Sequence, residues 1–208
     1  MERAPADREL WRAAAEGDSD AFAVLYEQYV DRIYSYCFRR TASWATAQDL
    51  TSTVFLEAWR RRRAVTFGVD GSVVGWLFGV ANNVVRGDQR SQRRHREALA
   101  KLPPPVAGPD LAEDTSSRLD SEAQMRRVLV ALDRLSSSDR EVLALSVWSG
   151  LTQPDIARAL GVPVGTVKSR LARARQRLHA LADSGVGGPG QPPRPEVLGL
   201  TQSQEGFR

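Results

Sequence analysis

Cysteine, histidine and long apolar runs are what this 208-residue chain has least of. A single cysteine, Cys37, rules out an internal disulfide. The two histidines, His95 and His179, lie far from it in arginine-rich stretches, so no structural zinc site is expected and no cofactor of any kind. No run approaches the length of a membrane span, and the opening MERAPADREL lacks the apolar core of a secretory signal. The expected site of action is therefore the cytoplasm, without membrane insertion. There is no glycine-rich phosphate loop and no nucleophile with an orienting histidine, which argues against an enzyme. Acid is also missing locally: no Asp or Glu occurs between Val164 and Ala182.

That acid-free segment belongs to the most informative stretch, LTQPDIARALGVPVGTVKSRLARARQRLHAL, residues 151–181. Thr152 is placed to cap a helix, with Asp155 three residues on as a relative of the capping box and Pro154 in the first turn, where a missing N–H costs little. Ile156, Ala159 and Leu160 supply an apolar face, and Gly161 suits the left-handed ending. After Pro163, residues Val164, Val167, Leu171, Ala174, Leu178 and Leu181 recur at spacings of three and four, the stripe of a packed helix. Lys168, Arg170, Arg173, Arg175 and Arg177 lie off it. Two helices around a Gly-Val-Pro turn, the second one-signed in charge, predict a helix-turn-helix entering a major groove.

The formal charge of +4 hides segregation. Arg86, Arg90, Arg93, Arg94 and Arg96 make a second basic cluster, so two contacts on a polyanion are expected. Before it the pattern is helical throughout. Asp18 or Ser19 is expected to cap a helix carrying Phe22, Leu25, Tyr26, Tyr29, Ile33, Tyr34 and Cys37, with Cys37 as a core thiol. Thr46 with Asp49 is read as the start of a second helix, and a third runs from about residue 73 to 96. Met125, Val128, Leu129, Leu132 and Leu135 mark a further helix, and Ser138 with Glu141 reads as a capping box for the next. Residues 98–118, with their run of three prolines, read as a flexible linker, and residues 183–208 as a disordered tail. The fold expected is all-α: two small helical domains, 10–97 and 119–182, joined by that linker.

Four segments in this order, AFAVLYEQYVDRIYSYCFRR, DLTSTVFLEAWRR, WLFGVANNVVRGDQRSQRR and LDRLSSSDREVLALSVWSGLTQPDIARALGVPVGTVKSRLARARQRL, resemble the extracytoplasmic-function (ECF) sigma factors of the sigma-70 family. The resemblance covers roughly residues 10–182. It implies a subunit that binds core RNA polymerase, at the largest-subunit clamp and the flap, recognises the −10 and −35 promoter elements and helps to open DNA. Residues 10–97 would be sigma region 2 and 119–182 sigma region 4. Polymerase contact would fall to Asp49, Ser52, Thr53, Leu56, Glu57 and Arg60, with Ser52 and Thr53 standing where the family commonly has Gln and Glu. Downstream-element contact would fall to Phe67, Asn82, Asn83, Arg86 and Arg90, with the loop 64–74 capturing a flipped base. Upstream-element contact would fall to Thr166, Lys168, Ser169, Arg170 and Arg173. An anti-sigma factor is a further possible partner. The alternative is a helix-turn-helix regulator acting without replacing the polymerase sigma subunit, and a third reading makes the amino-terminal bundle an adaptor for proteins only.

Overall fold

The structure is a computed structural model describing residues 4–68, 72–100 and 116–183. Eight α-helices and one short 3-10 turn (Arg62–Ala64) account for nearly all of it, and no strand occurs among the described residues. The helices are α1 (Ala4–Glu16), α2 (Ser19–Thr41), α3 (Trp44–Arg60), α4 (Val74–Leu99), α5 (Ser116–Leu132), α6 (Ser137–Val147), α7 (Gln153–Leu160) and α8 (Val164–Asp183). The all-α expectation holds. Most of the expected linker and nearly all of the expected tail lie outside the described residues. At the linker's edges, α4 runs on through Leu99 and α5 already begins at Ser116.

The helix starts show where local chemistry decides and where it does not. Asp18 caps α2 by accepting from the backbone N–H groups of Asp20 and Ala21. Thr152 caps α7 through the Asp155 N–H, and Gly161 ends that helix at φ 65°, both as expected. Two starts are corrected. Ser43, not Thr46, caps α3: the helix begins at Trp44, whose ring lies flat on Phe38, and the Ser43 hydroxyl accepts from the Thr46 N–H. Ser136, not Ser138, caps α6 by accepting from Asp139 N–H, and Glu141 is drawn away from any capping role by Arg86.

α1 is a helix that the apolar pattern did not announce. It docks by two polar anchors: the Trp11 indole N–H donates to the Arg62 carbonyl at 2.8 Å, and buried Asp7 accepts from the Tyr29 hydroxyl and from Gln28. Burial, reinforced by that carboxylate, pushes the Tyr29 hydroxyl far above its ordinary range. Trp11 then meets Trp76 and Phe22 edge to face, so Trp76 packs in the bundle. The bundle expected from three helices has four.

The carboxy-terminal helices do not stand apart. One cluster of buried side chains runs from Trp11 and Ile33 through Leu77 and Phe78 to Leu145, Ile156, Val167 and Leu171. α7 lies directly on α4. A Cβ placed on Gly79 would sit 2.9 Å from the Ala159 carbonyl oxygen, and one on Gly75 would sit 3.3 Å from the Asp155 Cβ. Polar ties flank this seam: Arg32 donates to the Ser149 carbonyl, Arg39 to the Trp148 carbonyl, and the Trp44 N–H at the head of α3 to Glu122 of α5 at 2.8 Å.

Cys37 is fully buried, and burial pushes its thiol from about 9 to about 11. The neutral thiol is therefore favoured by folding. Stability from this group is complete below the unfolded thiol's range and is lost as pH climbs from about 9 to 11. Urea midpoints measured across that interval should fall in the wild type and fall less in Cys37→Ala; identical slopes would refute the assignment. Tyr36, pushed up to about 12 by burial, adds loss of the same sign at still higher pH.

Candidate nucleic-acid and polymerase interfaces

α8 is oriented by its apolar stripe. Val167, Leu171 and Ala174 are buried, which turns Lys168, Ser169, Arg173, Arg175 and Arg177 outward and leaves Thr166 and Arg170 half-buried. Ser169 donates to the Thr166 carbonyl at 3.0 Å, which keeps its small hydroxyl close to the helix. Arg173 is held from behind by Asp139 of α6 at 3.3 Å. The five expected upstream-element residues thus share the first turns of one helix.

The downstream set does not stay together. Asn83, Arg86 and Arg90 are exposed along α4, with Arg86 paired to Glu141 at 3.1 Å and the Arg90 Nε donating to the Arg86 carbonyl. Phe67 is half-buried beneath the Arg8 guanidinium, 5.3 Å from its ring centre. The loop expected to capture a base falls partly on residues 69–71, outside the described residues; across it the Gly68 N–H donates to the Ser72 carbonyl at 2.7 Å.

Asn82 is a correction. It is 1% exposed and does not face outward. Its carbonyl oxygen accepts from the Tyr36 hydroxyl at 3.1 Å and from Arg40 at 2.9 Å, while Arg40 also donates to the Tyr36 oxygen at 2.8 Å. Asn82 lies one helical turn from Phe78, on the inward stripe of α4. It serves as the acceptor for a buried guanidinium, and its own amide Nδ2 has no partner. This polar triad was missed by sequence reading, although Arg40 continues the spacing of Ile33, Tyr36 and Cys37.

Beyond the triad, a cleft of about 560 Å³ opens between α4 and α6, and Arg40, Arg86, Arg90, Arg93, Arg96 and Arg140 line it. Asp88, half-buried at its edge, has its carboxyl raised by burial against the opposing pull of Gln92.

α3 presents Asp49, Ser52, Thr53, Leu56 and Arg60 to solvent, with Glu57 half-buried and holding Arg60 at 3.0 Å and Arg61 at 3.2 Å. Ser52 and Thr53 donate their hydroxyl protons to the carbonyls of Gln48 and Asp49 in their own helix, which leaves only oxygen lone pairs outward. Leu56 is not alone as an exposed apolar group. Tyr26 of α2 is exposed as well, and its ring packs on Phe55 at 4.7 Å. Its helical spacing groups Tyr26 with the interior stripe of α2, so this mixed face is larger than the sequence suggests.

The profile of Sigma-70 region 2 matches residues 25–95, and that of Sigma-70 region 4 matches residues 125–178. The ECF RNA polymerase sigma factor SigK of Mycobacterium sp. (strain KMS) is 32% identical over 167 residues, which span 78% of this chain and 83% of SigK. The chain belongs to the ECF RNA polymerase sigma factors. BldN of Streptomyces coelicolor, of the same family, is 33% identical over 83% of the chain, a match that spans 64% of BldN's length. Among solved structures, CnrH in complex with the cytosolic domain of CnrY superimposes with a TM-score of 0.63 at 27% identity, covering 86% of this chain and 98% of that one. RpoE of Bartonella quintana, in complex with the anti-sigma factor NepR, gives 0.56 at 25% identity, covering 78% and 96%.

This sigma factor is thus a transcription initiation factor by family. No helix among the described residues is long and apolar enough to cross a membrane, and no described group of three or more His, Cys, Asp or Glu is placed to hold a metal ion. The two adjacent asparagines of α4 should separate cleanly in urea unfolding. Asn82→Ala leaves Arg40 and Tyr36 short of an acceptor and should cost about 1–3 kcal/mol. Asn83→Ala should stay within about 0.5 kcal/mol of wild type. Equal losses would contradict the inward placement of Asn82.

Proposed function

We propose that this sigma factor binds core polymerase through the exposed face of α3, reads the −35 element with α8 and the −10 element with α4, and helps to separate the strands there. The observation that supports this most is the pairing, on one chain, of two outward basic helix faces with a third face of mixed charge and apolar groups. Phosphates draw the first two and a protein surface the third. Residues 10–97 act as region 2 and residues 119–182 as region 4, in the cell interior and without catalysis by the chain itself.

Within α8, Lys168, Ser169 and Arg170 approach base edges or phosphates from the first turns, and Arg173 follows one turn later. Within α4, Asn83, Arg86 and Arg90 track the displaced strand, where cations must replace duplex contacts. Phe67 offers a ring near the mouth of the loop. The solved relative bound to NepR supports an anti-sigma protein as a further partner for this chain.

Transcription in vitro with purified core polymerase tests the whole reading. The chain should direct initiation at a discrete set of sites on genomic fragments, and failure to initiate at any of them would sink the proposal. Lys168→Ala should weaken binding to upstream-element DNA. If Lys168 meets a phosphate, the salt slope should drop by about one; if it meets a base, sequence preference should relax. An unchanged affinity would remove Lys168 from the interface.

A further inference from the structure

The cleft between α4 and α6 holds more positive charge than its own acids offset. Six guanidiniums, from Arg40, Arg86, Arg90, Arg93, Arg96 and Arg140, share its wall with three carboxylates, those of Asp88, Asp133 and Glu141. Two of the three are already engaged, because Glu141 holds Arg86 at 3.1 Å and Asp133 holds Arg140. Asp88 accepts from Gln92 at 2.9 Å, and burial raises its carboxyl, which disfavours its charge. Arg93 turns to Glu97 on its own helix at 2.7 Å. Arg40, Arg90 and Arg96 form no ion pair among the described residues.

Arg40 is the decisive member. It is 4% exposed, and both of its hydrogen bonds leave from Nη1, to the neutral oxygens of Tyr36 and Asn82. Its Nε and Nη2 donate to nothing among the described residues. The Tyr36 hydroxyl, pushed up to about 12 by burial, keeps its proton and supplies no negative charge. A buried cation is ordinarily matched by an anion, and here the chain provides none. On α4, Arg86, Gln89, Arg93 and Arg96 recur at spacings of three, four and three, which puts them on one face about 15 Å long. Guanidinium forks match phosphate oxygens, and a face of that length meets more than one phosphate. The volume of about 560 Å³ is that of a small-molecule site, and its walls come from α2, α4, α5 and α6, a recess that suits a compact ligand better than a strand of DNA. We infer that this cleft binds a free polyphosphate, two or more linked phosphates carried by a nucleotide or by inorganic polyphosphate, on Arg40, Arg90 and Arg96. The cleft shares Arg86 and Arg90 with the proposed downstream-element contacts, so an occupied cleft and DNA compete for α4; that consequence alone rests on the promoter reading.

Isothermal titration calorimetry on the full chain, at constant ionic strength and without divalent cations, tests the site. Inorganic triphosphate and adenosine triphosphate should both bind, and inorganic phosphate should bind at least about tenfold more weakly. Binding of the inorganic chain at least as tight as that of the nucleotide assigns the site to inorganic polyphosphate. Tighter binding of adenosine triphosphate assigns it to a nucleotide, whose base then meets Leu129 or Trp148 in the same wall. Arg96→Ala, at an exposed position of α4, should weaken both about tenfold. Arg12→Ala, exposed on α1 away from the cleft, should bind as wild type does. No binding of either polyphosphate up to about 1 mM, an Arg96→Ala chain that binds as wild type, equal losses in the two variants, or phosphate matching triphosphate would each overturn the site. A DNA single strand that binds through Arg96 where neither polyphosphate does would make the cleft a nucleic-acid groove and overturn it too. The titration needs no polymerase, so a chain that fails to initiate transcription leaves its result standing.

Discussion

The close approach of α4 and α7 organises the molecule. Where a helix pair is separated by side chains, its axes stand about 8–10 Å apart and its backbones never touch. Here Gly79 lets the α7 backbone press directly onto α4, and everything downstream inherits that placement. α7 ends at Gly161, α8 starts after Pro163, and the stripe of Val167 and Leu171 then has one way to reach the shared core. A single pair of missing side chains therefore fixes the direction in which the basic face of α8 points.

Charge is arranged by the same economy. The outward arginines are backed by carboxylates: Arg173 by Asp139 and Arg86 by Glu141 from a neighbouring helix, Arg60 and Arg61 by Glu57 of their own. These pairs are partly exposed and add little to stability, since salt and solvent weaken them. Their effect is on position, because a guanidinium held from one side presents its remaining donors in a limited set of directions. Arg40 is the contrast. It is buried on two neutral oxygens, from Tyr36 and Asn82, in the wall of the basic cleft. Its charge raises the positive potential there from beneath the surface.

What sequence could and could not show follows from the range of each interaction. The cap at Thr152 and the turn at Gly161 are complete within ten residues, and both were legible. The start of α3 was not, because Ser43 and Thr46 are equivalent locally. The choice is made by Trp44 stacking on Phe38 and by Glu122 reaching its N–H from α5. Three consecutive serines pose the same ambiguity before α6, and Arg86, from another helix, removes Glu141 from the competition. Asn82 was misplaced for a related reason: an asparagine next to another reads as surface until Tyr36 and Arg40, more than forty positions away, are brought beneath it. α1 was overlooked because its burial turns on Asp7, a charged residue that makes sense inside only beside Tyr29 and Gln28. The polar residues of α8 were legible as a set because helical periodicity alone turns them outward, whereas those of α3 came from the resemblance to the family.

One consequence lies in temperature. The two halves share a continuous apolar cluster that joins Leu77 and Phe78 to Ile156 and Ala157. Apolar association is entropic near room temperature and weakens on cooling. Parting the halves hydrates that surface, so the separated form carries the larger heat capacity. The strength of this seam is therefore curved in temperature, and chilling weakens the contact between Leu77, Phe78, Ile156 and Ala157 before it weakens the hydrogen bonds within each helix.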